Sequence, residues 1–482
     1  METFRRSVVR GGLILFAATG AGRAHAAGFA SARFGGELGN PVTTNPTALY
    51  YNPAGIAFSE GVDLFGDGDL AIRHATWTHQ APPPGASDQQ YSQVGNSGTA
   101  SLLNVFGGPA VAGTIKLGNL AIGAGLFVPF GGRVDWGKNN QFSSTYPAGE
   151  TCGGNAACPL AMDGVQRWHI INAALTFIYF SAGAAYKFGP LAIGVTGNFI
   201  DSTLSTSEAR TLRGDIDSTA ETRGTLNVSG FNGSFAAGAM LEAVPDRLWI
   251  GASYQAQPGL GPQILKGTLD YNAGPAPYYS FNAPNTYKVD FHQSLPDIYR
   301  AGLRLRASDV VELRVFGDLT RWSVMKSQCV NQANTAEGTT CDVYANGATA
   351  ANSAAILANI PRNWNNTYGI RLGASYWVKP TVELFGGLGF ETAAVPDATL
   401  EPGAMDADNI GIAAGARIRL TQTLYVAGSY THLQYLDRDN TGKSTLAVNN
   451  GVAVQQPTFQ EDGGGKYTQW IGIFDANIEA KF

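Results

Sequence analysis

Charge is scarce in this chain. Asp, Glu, Lys and Arg make up 14% of its 482 residues, against about 25% in an ordinary soluble domain. The missing charge is not replaced by long apolar stretches. The longest apolar run, Gly11 to Gly22, falls short of the roughly 20 residues a membrane helix needs, so a helical membrane bundle is excluded. A basic surplus is also lacking: the net charge is −5, which leaves nothing to attract nucleic acid. Disordered chains are charged and poor in aromatics, whereas this one has 11% aromatics. Histidine is rare, with six in the chain. His25 falls in the leader described below, and His74, His79, His169, His292 and His432 sit in no motif beside a nucleophile, which argues against an enzyme. Nothing points to a cofactor or a metal. What is abundant is glycine, 61 residues, roughly twice the usual share. A Gly- and aromatic-rich all-β protein fits this balance, and a transmembrane barrel fits it best.

The N-terminus reads as an export signal. Arg5, Arg6 and Arg10 precede the apolar Gly11–Ala21, and Ala24-His25-Ala26 has the form of an A-x-A cleavage site. Export would deliver the chain to a compartment where disulfides persist. Its four cysteines fall as two local pairs, Cys152 with Cys158 and Cys329 with Cys341, and one disulfide is expected within each pair. No His stands at ligand spacing beside them to suggest zinc.

Alternation supplies the fold. In the last segment Trp470, Gly472, Phe474, Ala476, Ile478, Ala480 and Phe482 share one face, and Gln469, Asp475, Asn477, Glu479 and Lys481 share the other. Residues 299–322 read as a hairpin with Leu303, Leu305, Leu313 and Val315 on one face and Arg300, Arg304, Glu312 and Arg314 on the other. Such strands suit a barrel wall with lipid outside and water inside, though a half-buried soluble strand also alternates. The connections separate the two cases. Six short turns (Gly118-Asn119, Phe188–Pro190, Val244–Arg247, Ala307–Asp309, Val378–Pro380, Leu420–Gln422) alternate with seven long segments, at about 80–103, 133–168, 205–229, 258–287, 326–363, 393–409 and 437–466. That asymmetry belongs to outer-membrane barrels and is rare in soluble domains. The expectation is an all-β, fourteen-stranded antiparallel transmembrane β-barrel. Residues 1–26 would be the signal peptide, 27–60 an N-terminal hatch in the lumen, and 61–482 the barrel. A periplasmic tail is the alternative for 27–60. Residues 345–358 are expected to form a short helix in one long loop.

Specific segments carry a family likeness. Asn45-Pro46-Thr47-Ala48-Leu49-Tyr50-Tyr51-Asn52-Pro53-Ala54-Gly55 resembles the hatch signature of the FadL family of outer-membrane long-chain fatty acid transporters. Ala27-Gly28-Phe29, Leu295–Tyr299, Asp318–Ser323, Tyr368–Tyr376, Phe390–Pro396 and the terminal Phe482 match further family features in order. The resemblance implies a monomeric outer-membrane channel, working by ligand-gated passive diffusion of a hydrophobic molecule among outer-membrane lipid and lipopolysaccharide. It implies sideways exit at a kink in the third strand, where Pro129, Gly131 and Gly132 would break the ladder. Pro129 could equally mark that strand's outer end. Phe29 is implied as a pocket residue, and Asn52, Pro53 and Ala54 as the hatch element meeting the kink. Arg210 and Arg362 lie near family basic positions and could hold a carboxylate; the plainer reading makes each a loop charge. Phe130, Trp136, Tyr278 and Tyr279 could line an apolar groove, with interface anchoring as the alternative. Fatty acids are the first substrate reading, aromatic or alkane hydrocarbons the second, and a general porin the third.

Overall fold

The computed structural model describes residues 33–79, 95–138, 162–210, 216, 222–272, 285–333, 356–446 and 461–482. Among them fourteen antiparallel strands close into a barrel. They are β1 Val62–His79, β2 Gly98–Leu117, β3 Leu120–Asp135, β4 Asn172–Phe188, β5 Leu191–Arg210 and β6 Thr222–Val244. Four strands are interrupted: β7 (Leu248–Gln255, Gln263–Asn272), β8 (Asn285–Gln293, Ile298–Ser308), β9 (Val311–Thr320, Ser327–Gln332) and β10 (Ile356–Pro361, Thr367–Lys379). The wall finishes with β11 Val382–Glu391, β12 Asn409–Arg419, β13 Leu424–Tyr435 and β14 Lys466–Lys481. Closure runs from Asp63↔Lys481 to Thr78↔Lys466 between β1 and β14.

The alternation in β14 faces the way the sequence predicts. Phe474 and Ile478 are each 49% exposed, while Asp475 and Glu479 are 6% and 3% exposed. Leu303, Leu305 and Leu313 likewise point outward, and Arg300 and Arg314 are buried inside. Apolar side chains outside and charges inside is the reverse of a soluble sandwich; lipid is the solvent that makes it stable. All six expected short turns connect strands.

The long segments depart from expectation, because the strands continue into them. β5 reaches Arg210 and β6 starts at Thr222, inside the expected 205–229 loop. The outer pieces of β7 to β10 occupy much of 258–287 and 326–363. Ile356–Ala358 is strand, not the end of a helix, and 345–355 lies outside the described residues. The physical reason is visible in β6. Phe231 and Phe235 face outward in the lower half with Ser234 buried inside. Above Ser229 the phase inverts: Leu226 and Val228 are buried inward and Asn227 is exposed. The wall has left the lipid there, so its apolar face turns to an interior cluster with Leu265, Leu269, Val289 and Phe291.

The four interruptions lie on one line across the sheet. Gln255 pairs with Ile298, Ile298 with Thr320, and Thr320 with Thr367. Pairing resumes above with Gln263↔Gln293, His292↔Cys329 and Ser327↔Pro361. Cys329 is buried; Cys152, Cys158 and Cys341 lie outside the described residues, as do Phe29, Tyr278, Tyr279 and the expected signal.

Residues 33–59 pack against the inward faces of the strands and are almost wholly buried. They hold a helical turn, Ala48–Tyr51, and a 3-10 stretch, Pro53–Phe58. Asn52 joins the two: its Oδ1 accepts from Ala54 N at 3.2 Å, and its Nδ2 donates to Pro41 O at 2.8 Å and to Ala239 O of β6 at 3.1 Å. Ser253 Oγ of β7 donates to Tyr51 O at 2.6 Å, and Gly35 N donates to Asp67 of β1 at 3.0 Å. Inward glycines make this seat possible. A Cβ on Gly194 of β5 would lie 2.5 Å from Ala54 N and closer still to the Pro53 carbonyl carbon. A Cβ on Gly238 of β6 would overlap the Asn52 side chain.

Candidate functional site

The third strand runs unbroken from Leu120 to Asp135 but loses its pairing to β2 part-way along. β3 pairs with β2 only from Leu117↔Leu120 to Val111↔Leu126. Beyond that β2 keeps its ladder to β1 alone, and contact with β3 resumes at Asn104, whose Nδ2 donates to Asp135 O at 2.9 Å while its Oδ1 accepts from Asp135 N at 3.0 Å. Between these points the β2–β3 ladder is absent. On the other side, Phe127↔Tyr179 is followed by Phe130↔Phe177, so Val128 and Pro129 stand opposite Ile178 alone. Phe127, Val128, Pro129 and Phe130 are all buried, an inward bulge in place of alternation. The break is centred on Val128-Pro129. Gly131 and Gly132, expected to take part in it, pair regularly with Thr176 and Leu175.

The bulge touches two other elements. The Phe127 ring centroid is 5.1 Å from Phe34 and 5.9 Å from Tyr50. Phe130 lies 6.2 Å from Phe177 and 6.3 Å from Trp322, which fills the interruption of β9 and stacks edge-on at 5.1 Å with Trp364 in that of β10. Asn52, Pro53 and Ala54 are seated against β5 and β6, and the N-terminal rings in contact with the bulge are Phe34 and Tyr50. Trp136 is buried just past β3.

A cavity of about 150 Å³ opens above this level. Its apolar wall comes from Leu175, Leu204, Leu226, Leu269, Phe291, Val330 and Ile360. Gly132 borders it; Phe130 does not. Arg210 and Arg362 both line it. Arg210, at the end of β5, donates from Nε to Glu208 at 2.8 Å. Arg362, just past the outer piece of β10, donates from Nε to Gln328 at 2.8 Å and from Nη1 to Glu401. Glu401 comes from the β11–β12 connection, and its other oxygen lies 2.9 Å from His169 Nδ1.

These contacts extend into a chain of side-chain hydrogen bonds. Gln293 donates to Gln263 at 3.4 Å and Gln328 to Gln293 at 3.1 Å, which carries the line across the outer pieces of β7, β8 and β9 to Arg362. From Glu401 and His169 it continues to the Asp462 carbonyl, 3.2 Å from His169 Nε2. Burial by itself would raise the Glu401 carboxyl, but the Arg362 guanidinium and the His169 bond hold it at about 2. Burial would lower His169, and the Glu401 bond raises it instead. Nearby Glu461 is buried with neither oxygen hydrogen-bonded, and desolvation pushes it up to about 7.

Residues 15–459 match the family model described as outer membrane protein transport protein (OMPP1/FadL/TodX). This chain belongs to that family. OMPP1/FadL/TodX members are outer-membrane transport channels, not enzymes, and carry hydrophobic substrates. Among curated proteins, the chain is 21% identical to the outer membrane protein NMB0088 of Neisseria meningitidis serogroup B, over 91% of this chain and 92% of that one. Three solved members share the fold. A Pseudomonas aeruginosa FadL homologue superposes with TM-score 0.70 at 15% identity, covering 95% of this chain and 99% of its own. The Ralstonia pickettii toluene transporter TbuX gives 0.58 at 15% identity, and the Pseudomonas putida toluene transporter TodX gives 0.57 at 14%, each with the same 95% and 99% coverage.

Within the family frame, the sequence pointed to Arg210 and Arg362 but not to their partners. Glu401, His169, Gln293 and Gln328 are scattered over four elements, and no spacing in the chain announces that they meet.

Proposed function

We propose that the chain is a passive uptake channel for long-chain hydrophobic carboxylates, of which fatty acids are the nearest class. The observation that supports this reading is the cavity, whose apolar walls end on two guanidinium groups, Arg210 and Arg362. An acyl chain gains about 0.8 kcal/mol per CH₂ removed from water, and its carboxylate wants a charge-assisted donor once buried. The molecule enters the cavity from outside, moves past the Trp322–Phe130 contact, and leaves sideways into lipid where β2 and β3 part. Residues 27–60 act as the plug that denies small solutes the lumen. The chain is delivered to the outer membrane by removal of residues 1–26, and it works as a monomer.

A neutral cargo is the second reading, and a specific observation favours it: Arg210 and Arg362 already have the carboxylates of Glu208 and Glu401. Uptake decides between the two. Cells lacking their own transporter, given the full chain, should accumulate labelled oleate in preference to labelled toluene. Accumulation of toluene alone transfers the proposal to hydrocarbons, and accumulation of neither refutes it.

A further inference from the structure

We propose that Glu401 is a built-in stand-in for the cargo's carboxylate, and that it sets the channel's selectivity by competing with the cargo for Arg362 and His169. This deepens the uptake reading above and rests on it. One carboxylate of Glu401 bridges two donors, the Arg362 guanidinium through Oε1 and the His169 ring through Oε2 at 2.9 Å. All three residues line the same apolar-walled cavity. A guanidinium and an imidazole converging on one carboxylate, at the polar end of an apolar-walled cavity of about 150 Å³, make an anion site that is already filled by the protein itself.

The source of the resident carboxylate matters. Glu401 does not stand on the barrel wall; it reaches in from the connection between β11 and β12, next to Gly403 and Ala404, which also border the cavity. The connection is held at other points. Asp406 accepts from Ala394 N at 2.6 Å and Val395 N at 3.2 Å, and Thr399 Oγ1 donates to Arg362 O at 2.6 Å. The Glu401 side chain can therefore swing off Arg362 while its loop stays tied. A free carboxylate takes the same two donors, so the exchange keeps the number of buried ion pairs constant. Weak or neutral head groups cannot make it, because they offer Arg362 no charge in exchange for that of Glu401. A strong carboxylate cargo is then bound less tightly than an empty site would bind it, which lets it leave again.

The test uses the purified full chain in detergent and two probes of equal length, oleate and oleyl alcohol. Glu401→Gln keeps the shape and removes the resident charge. It should bind oleate about tenfold more tightly or better, the scale of one charge-assisted hydrogen bond, and leave oleyl alcohol unchanged. Glu401→Asp, which restores a carboxylate, should return oleate affinity toward the native value. Arg362→Gln should abolish the gain when combined with Glu401→Gln. Equal tightening of both probes would mean that the loop had only loosened, and would overturn the proposal, as would an oleate affinity that is unchanged or weaker in Glu401→Gln. If the native chain binds neither probe, the uptake reading falls first and takes this inference with it; if it binds both but the ratio ignores residue 401, only the inference falls.

Discussion

Replacing Gly194 by valine tests what the N-terminal segment does. Gly194 faces inward on β5, pairing with Ala185 and Gly238. A Cβ there would stand 2.5 Å from Ala54 N and nearer to Pro53 C, against ordinary contacts of 3.4–4 Å. The neighbour is backbone, so no rotamer change relieves the overlap. Overpacking of this kind costs about 1–3 kcal/mol, and here it falls only on the state with the segment seated. The barrel itself loses nothing, since valine suits a strand better than glycine. The ratio of seated to unseated molecules should fall by about 5- to 150-fold. Planar-bilayer conductance reads this directly: Gly194→Val should conduct more than the native chain, and protease should cut residues 33–59 in it first. Gly197→Val, three residues along the same strand with no atom within 4 Å of the added Cβ, is the control and should behave as native. If folded Gly194→Val, shown by heat-modifiable migration, conducts no more than Gly197→Val, the segment does not close the lumen.

The β3 bulge and the outer rim give further outcomes. Deleting Pro129 removes the one residue by which Val128-Pro129 exceeds Ile178, and should restore a regular β3–β4 register; uptake of labelled oleate should drop to background in a barrel that still folds. Uptake at the native level would dissociate the bulge from exit. The rim should loosen as pH rises from 5 to 8. Glu461 is raised from 4.5 to about 7 by burial, so the folded state keeps a proton that the unfolded chain loses across that window, and stability declines through it. His169 is raised above 6.5 by its Glu401 bond, so its contribution is complete below 6.5 and is lost as pH climbs through the raised value. Glu401, held at about 2, titrates well below this range. Protection factors of the amides in residues 395–405, with the intrinsic base-catalysed exchange rate divided out, should therefore be higher at pH 5 than at pH 8, and Glu461→Gln should shrink the difference. A pH-independent protection factor would contradict this sign.

Parts of the wall differ in how legible they were, and the difference has a cause. Below the lipid boundary each strand meets one apolar solvent outside and a polar lumen inside, so period-two alternation marks both its existence and its facing; β14 and the β8–β9 hairpin were readable residue by residue. Above the boundary the outer pieces of β7 to β10 have water outside and an apolar cavity inside. Their alternation carries the opposite phase, and it looks like loop sequence when lipid is assumed. The bulge in β3 was half legible. Pro129 announced an interruption, but Gly131 and Gly132 beside it were equally eligible and turned out to be regularly paired.

Composition and order along the chain determined that this is a barrel, that it has fourteen strands, and that an unusual Gly/Asn/Pro stretch precedes the wall, because those properties depend on local periodicity and on the solvent each residue type tolerates. Tertiary structure alone decided where the inward glycines are needed, which rings of the N-terminal segment meet the β3 bulge, and that Arg210 and Arg362 share one cavity with Glu401 and His169. Those facts depend on which strands become neighbours when the sheet closes. Residues 169, 210, 362 and 401 are far apart in sequence, and only the register of a closed barrel brings Arg362 and His169 within hydrogen-bonding reach of Glu401 and sets Arg210 in the same cavity.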